Sequence, residues 1–205
     1  MAGVATAENT FIACILLMVV VLSLLGQALG GCTFNPCDLA SSWAVGKLSG
    51  RDAALRTAAQ AAGAVAGAHA ALRWLPHALA QHGQSLVAAT RPGIDLAQGA
   101  GCEFMLTLLL TFTALASADS TGVLRFGVPL VGTAAALHVG ATFSGPVLNP
   151  AAALGWTAAH WPGSSHALEH GAIYWGAPLA GAVLATWAHA GMQSSRSAPA
   201  RRKTD

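Results

Sequence analysis

The sequence predicts an all-α fold, a polytopic membrane helix bundle built as an inverted repeat with two half-helices set between its long spans. Three observations predict it. First, 54% of the 205 residues are hydrophobic and only 9% are charged, where a soluble domain would carry roughly 25% charged residues. Second, several apolar stretches are long enough to cross a hydrocarbon core of roughly 30 Å. Third, two Asn-Pro signals, Asn35-Pro36-Cys37 and Asn149-Pro150-Ala151, each follow a glycine-containing break at the end of an apolar run. Proline fits a first helical turn because its missing N–H would have no partner there, so each asparagine is expected as an N-cap. A helix of about two turns between long apolar segments is tolerated at membrane depth only where its broken backbone lines a water-filled path.

The elements follow in order. Residues 1–9 form an N-terminal segment, and 10–30, TFIACILLMVVVLSLLGQALG, form the first span. A secretory signal peptide is the competing reading, but MAGVATAENT offers no Lys or Arg for a basic n-region. After the first half-helix comes a hydrophilic patch with Lys47, Arg51 and Arg56, then a span over 52–75. Gly63 and Gly67 lie on one face of that span at small-xxx-small spacing, which predicts a helix contact there. His69 is expected to be a hydrogen-bonded packing residue. Residues 76–95, with Gly83, Pro92 and Gly93, read as a polar loop. The span over 96–118 contains Glu103, its only acidic residue at depth. An ionisable residue so placed is a functional-site hypothesis by default; here the expected role is structural, as acceptor for exposed backbone N–H groups. A polar turn over 119–125 leads to a span over 126–139, the second half-helix, a loop beginning Trp161-Pro162-Gly163, a last span over 167–191 and a polar tail over 192–205.

Several classes are excluded by what the chain offers. The formal charge of +2 gives no reason to invoke nucleic acid. Cys14, Cys32, Cys37 and Cys102 have no metal-ligand spacing and read as free thiols. No nucleophile sits in a recognisable motif and the eight histidines are scattered, so no enzyme, metal or cofactor is expected.

The two halves correspond. Gly31-Cys-Thr-Phe-Asn35-Pro36 and Gly145-Pro-Val-Leu-Asn149-Pro150 match in Gly, Asn and Pro at the same offsets, and Gly67-Ala68 matches Gly181-Ala182. One repeat therefore covers 10–75 and the other 96–191, within a single channel domain over 10–191. A full unit has three spans; by this reading the first span of repeat one is missing, and five full spans are visible instead of six. Units with odd numbers of spans are inverted relative to one another. If the Lys47 patch, the Arg125 turn and the tail face the cytoplasm, eight of the ten Lys and Arg residues lie inside (Lys47, Arg51, Arg56, Arg125, Arg196, Arg201, Arg202, Lys203). Only Arg73 and Arg91 lie outside, as the positive-inside rule requires, and the C-terminus is expected in the cytoplasm.

These residues resemble the aquaporins, or major intrinsic proteins, and among them the small basic intrinsic proteins and the unorthodox endomembrane aquaporins. The resemblance is carried by LGGCTFNPC, RTAAQAAGAVAGA, EFMLTLLLTF, SGPVLNPAAALGW and YWGAPLAGAVLATW. It implies a passive channel for water and small neutral solutes such as glycerol or hydrogen peroxide, seated in the lipid bilayer as a homo-oligomer, a tetramer by resemblance. It implies pore motifs at Asn35, Pro36, Cys37, Asn149, Pro150 and Ala151, and a selectivity filter at Ile15, Leu137, Pro146 and Ala152. The first motif ends in Cys37 where the family usually has Ala, and Ala152 stands where most family water channels have Arg. The implied filter is apolar. Asp38 is foreign to the family pattern and puts a carboxylate beside a half-helix N-terminus. The dibasic Arg202-Lys203 resembles a retrieval signal for the endoplasmic reticulum. The alternative function is a non-conducting membrane scaffold or assembly subunit.

Overall fold

The computed structural model of the chain describes residues 2–74, 90, 92–160 and 167–197, and these are helical or in short connections. In chain order the helices are α1 (Ala2–Ala28), α2 (Pro36–Ala44), α3 (Gly50–Trp74), α4 (Leu96–Ser117), α5 (Val123–Gly140), α6 (Pro150–His160), α7 (Ala167–Gly171) and α8 (Ala177–Ser197). A π-helical turn, Ala172–Gly176, joins α7 to α8. The polar loop expected over 76–95 lies mostly outside the described residues, as do the loop beginning at Trp161 and the end of the tail. Asp95, the last residue of the first of these, closes a capping box with Gln98 and fixes the start of α4.

Burial in this bundle runs opposite to that of a water-soluble protein. The buried apolar side chains are mostly small, including Ala68, Ala136, Ala153, Ala182 and Ala185, while Leu17, Leu24, Leu109, Val131 and Leu184 are exposed. Small residues let helix backbones approach, and large aliphatic ones facing outward suit a hydrocarbon surround. Among the described residues α4 and α5 are long and apolar enough to cross a membrane by length and composition.

Close approaches pin the bundle at two glycines. A Cβ on Gly181 of α8 would strike the Phe104 carbonyl oxygen of α4, and one on Gly155 of α6 would meet the Ala64 carbonyl oxygen of α3 at 2.6 Å. Contact is exchanged between halves: α6 packs on α3 of the first repeat, and α2 packs on α8 of the second. Trp187 of α8 donates its indole N–H to the Ala44 carbonyl at the C-terminal end of α2, 3.0 Å away. That bond satisfies one of the carbonyls a helix end leaves without an internal partner.

Five sequence expectations change. The first helix begins at Ala2 rather than at residue 10, since the alanine-rich leader contains no proline to stop it. The second half-helix, α6, has 11 residues, about three turns rather than two. The last span carries the π-helical turn, bracketed by Gly171 and Gly176 and followed by Pro178, whose missing N–H leaves the Tyr174 carbonyl without its usual helical donor. The Gly63–Gly67 face of α3 is open among the described residues, with nothing within 4 Å of a Cβ built at either position. Gly181, the repeat equivalent of Gly67, is closed by α4, so the same local spacing has different partners in the two halves. His69 is hydrogen-bonded, its Nδ1 lying 2.8 Å from the Val65 carbonyl, but it is exposed rather than packed.

Candidate pore site

The two Asn-Pro segments meet tip to tip. Asn35 has extended backbone and caps α2, its Oδ1 accepting from the Cys37 N–H at 3.0 Å. Asn149 caps α6 in the same way, its Oδ1 accepting from Ala151 N–H at 3.1 Å and Ala152 N–H at 3.3 Å. Each amide nitrogen reaches across to the other loop. Asn35 Nδ2 donates to the Leu148 carbonyl at 2.9 Å, and Asn149 Nδ2 donates to the Phe34 carbonyl at 3.0 Å. Each asparagine thus bonds the residue just before the other, the reciprocal pattern that a two-fold relation produces. An amide NH₂ has two hydrogens, so after this cross-link each asparagine keeps one donor.

The loop ahead of Asn149 is held from three sides. Glu103, 0% exposed, accepts from Val147 N–H at 3.0 Å through Oε1 and from Leu148 N–H at 3.1 Å through Oε2. Tyr174, in the π-helical turn, donates its hydroxyl to the Ser144 carbonyl at 2.7 Å. Leu148 itself sits at φ 54°, in the left-handed region that costs a branched residue roughly 1–2 kcal/mol. The hydrogen bonds on both its N–H and its carbonyl keep it there.

In the first repeat Gln60 stands at the position equivalent to Tyr174, and its Nε2 donates to the Thr33 carbonyl at 2.8 Å. Sequence reasoning passed over Gln60, Tyr174, Ser144 and Leu148 as positioning residues. The signal for the first two was available: a glutamine inside an apolar helix and the chain's one tyrosine fall at matching places in the two repeats.

The expected pore residues are distributed as follows. Pro36, Cys37, Pro150 and Ala151 are buried under the cap turns, while Asn35 and Asn149 are partly accessible. Of the expected filter positions, Leu137 and Ala152 are partly accessible. Pro146 is buried, its ring against Gly140, and the side chain of Ile15 lies outside what the structure describes. Cys14 and Cys32 are exposed thiols, Cys37 is buried and Cys102 is half-buried. Among the described residues no cluster of His, Cys, Asp and Glu could hold a metal ion.

Long apolar-faced helices, with two capped half-helices meeting through reciprocal asparagine amides, define a membrane channel protein of the inverted-repeat type. Comparison with known proteins agrees. The Major intrinsic protein family matches residues 2–189, and the chain belongs to that family. Within it the chain is similar to Aquaporin SIP1-1 of Oryza sativa subsp. japonica, with 35% identity over 80% of this chain and 68% of that one. It is also similar to Aquaporin SIP1-2 of Zea mays, with 33% identity over 90% of this chain and 76% of the relative. These are small basic intrinsic proteins, the subfamily that the first motif resembles. In fold it matches the aquaglyceroporin from Plasmodium falciparum, with a TM-score of 0.67, 17% identity, and coverage of 80% of this chain and 74% of that one. The protein is an integral membrane protein with a channel fold.

Proposed function

We propose that the chain conducts water and small neutral solutes, such as glycerol or hydrogen peroxide, past the Asn35–Asn149 pair. The observation that carries this reading is the spare amide N–H left on each asparagine once its cross-link is made. Both spare donors sit at half-helix N-termini, each equivalent to roughly half a positive charge. A water oxygen accepting from both is oriented with its hydrogens away from the midpoint, so the file of waters is interrupted as a proton relay. The positive ends oppose hydronium and other cations. Apolar walls at Leu137 and its neighbours offer no competing partner, so water leaves as readily as it enters. With Ala152 in place of a long cation the filter is wide and apolar, which admits solutes larger than water.

The same reading puts the protein in an endomembrane, with Arg202 and Lys203 as a retrieval signal and the C-terminus in the cytoplasm, and assembles it as a homo-oligomer. One observation favours the second reading, a non-conducting scaffold: the open Gly63–Gly67 face of α3 is free to take a neighbouring helix. Solute uptake separates the two. Proteoliposomes holding the chain should take up glycerol or peroxide faster than empty vesicles; uptake equal to that of empty vesicles supports the scaffold.

A further inference from the structure

A groove between α2, α3 and α8 takes no part in the account above. It has a volume of about 470 Å³ and is walled almost wholly by carbon, from Ala40 and Trp43 of α2, Ala53 and Ala61 of α3, and Trp175 and Leu179 at the start of the last span. Ala53, Thr57 and Ala61 are four residues apart and so form one stripe of α3. The space has an origin in the sequence: Ala40 stands at the place that Leu154 takes in repeat two, and α3 lines the groove with alanines apart from Thr57. The inner end reaches Pro36, the first residue of α2.

The outer end is charged. Trp43 leads into the turn that holds Lys47, and Ala53 follows Arg51 in the first turn of α3. Both cations are exposed, and among the described residues no carboxylate pairs with either. Asp52, the acid on the same turn, accepts from the Ser49 hydroxyl at 2.8 Å and lies about half a turn round α3 from the groove stripe. Trp43 is 51% exposed with its indole Nε1 beside Gly50, and that N–H meets no acceptor among the described residues. An apolar trough therefore ends in two cations and an unused indole donor. A long apolar chain with an anionic head matches that succession of surfaces.

We propose that this groove binds one anionic phospholipid of the surrounding membrane: an acyl chain lies along α3 toward Pro36, and the phosphate meets Lys47, Arg51 and the Trp43 N–H. With the Lys47 patch in the cytoplasm, as the positive-inside reading has it, the site draws on the leaflet that carries anionic lipids. A second copy of the chain fits the surface less well. A two-fold contact within one membrane sets Lys47 and Arg51 against their own counterparts, and like charges in an interface oppose association. The inference does not depend on conduction, because binding is measured without flux.

The test uses the whole chain, released from detergent micelles for native mass spectrometry with dioleoyl phosphatidylserine or dioleoyl phosphatidylcholine at equal concentration. The expected result is one tight phosphatidylserine adduct per chain, bound about thirtyfold more tightly than phosphatidylcholine, the scale of two cations near a membrane surface. Lys47→Gln combined with Arg51→Gln should erase that preference and leave phosphatidylcholine binding as it was. Both side chains are exposed, so the double variant keeps the same core. Ala58→Phe fills the groove from an exposed position of α3 and should weaken the adduct by about tenfold or more. Equal affinity for the two lipids in the unmodified protein, a preference that survives the double substitution, or an adduct indifferent to Ala58→Phe overturns the inference. So does a lipid-free dimer that Ala58→Phe dissociates, which assigns the groove to a second copy.

Discussion

Glu103 anchors the loop that delivers Asn149, and its removal has a calculable cost. The carboxylate accepts two backbone N–H groups, Val147 at 3.0 Å and Leu148 at 3.1 Å, and is fully buried. Glu103→Ala leaves both donors without a partner, at about 1–3 kcal/mol each, so about 2–6 kcal/mol in total. Glu103→Gln keeps one acceptor oxygen and turns an NH₂ toward the second N–H, so about 1–3 kcal/mol is expected. The backbone of Leu148 adds a second handle, because its φ of 54° is held against strain partly by the Glu103 bond. Leu148→Gly removes that strain, worth about 1–2 kcal/mol, but also deletes a buried side chain at a cost of about 2–5 kcal/mol, so its net effect is a loss that should be smaller in the Glu103→Ala background than in the unmodified protein. The effect of combining them is then non-additive, as expected for neighbours in one network. The assay is unfolding in detergent micelles titrated with sodium dodecyl sulfate, followed by tryptophan fluorescence, for the two single variants at Glu103, the Leu148→Gly single variant and the double variant. A loss under about 0.5 kcal/mol for Glu103→Ala, the range of an ordinary surface change, would refute the anchoring argument. So would a Leu148→Gly change that costs as much in the Glu103→Ala protein as in the unmodified one.

Three further outcomes are expected. Gly181→Leu should unfold the bundle at markedly lower detergent, because its side chain meets the Phe104 carbonyl, whereas Gly67→Leu should shift the midpoint little; equal losses at both would contradict the asymmetry between the halves. Ala152→Arg should lower glycerol and peroxide uptake relative to water flux by narrowing the filter, and unchanged uptake ratios would remove Ala152 from the filter. Changing Arg202 and Lys203 together to serine should move a tagged protein from reticular membranes toward the cell surface; persistent reticular staining would show that the pair is only positive-inside charge.

The sequence carries much of this architecture because its signals come twice. Asn35-Pro36 and Asn149-Pro150 are strong as a pair, since each is a cap followed by a first-turn proline and both stand at matching offsets from Gly67 and Gly181. What stayed hidden depends on partners rather than on local pattern. Gly63 and Gly67 have the spacing of a contact face, yet whether a neighbour closes it is not written in α3 itself. Leu148 is a poor residue for a left-handed backbone, and nothing local announces that conformation; it is imposed by Glu103 and Asn35, distant in sequence. The π-helical turn differs, for Gly176 and Pro178 mark a break there, yet that it aims Tyr174 at Ser144 across the bundle depends on the distant partner. At the pore, the capping roles of the asparagines follow from their neighbours in sequence. Their reciprocal cross-links need both loops in place.

The central claim is that the spare amide hydrogens of Asn35 and Asn149 conduct water while opposing its use as a proton relay. Stopped-flow shrinkage of proteoliposomes tests it most directly, comparing the chain with its Asn149→Asp variant at matched protein density. The substitution removes both amide hydrogens, sets a carboxylate oxygen against the Phe34 carbonyl that Asn149 now bonds at 3.0 Å, and brings negative charge to the N-terminus of α6. The account predicts shrinkage well above that of empty vesicles for the unmodified chain, and a clear fall in water permeability with a rise in cation leak for the variant. Identical water permeability and identical cation leak in the two proteins would contradict it.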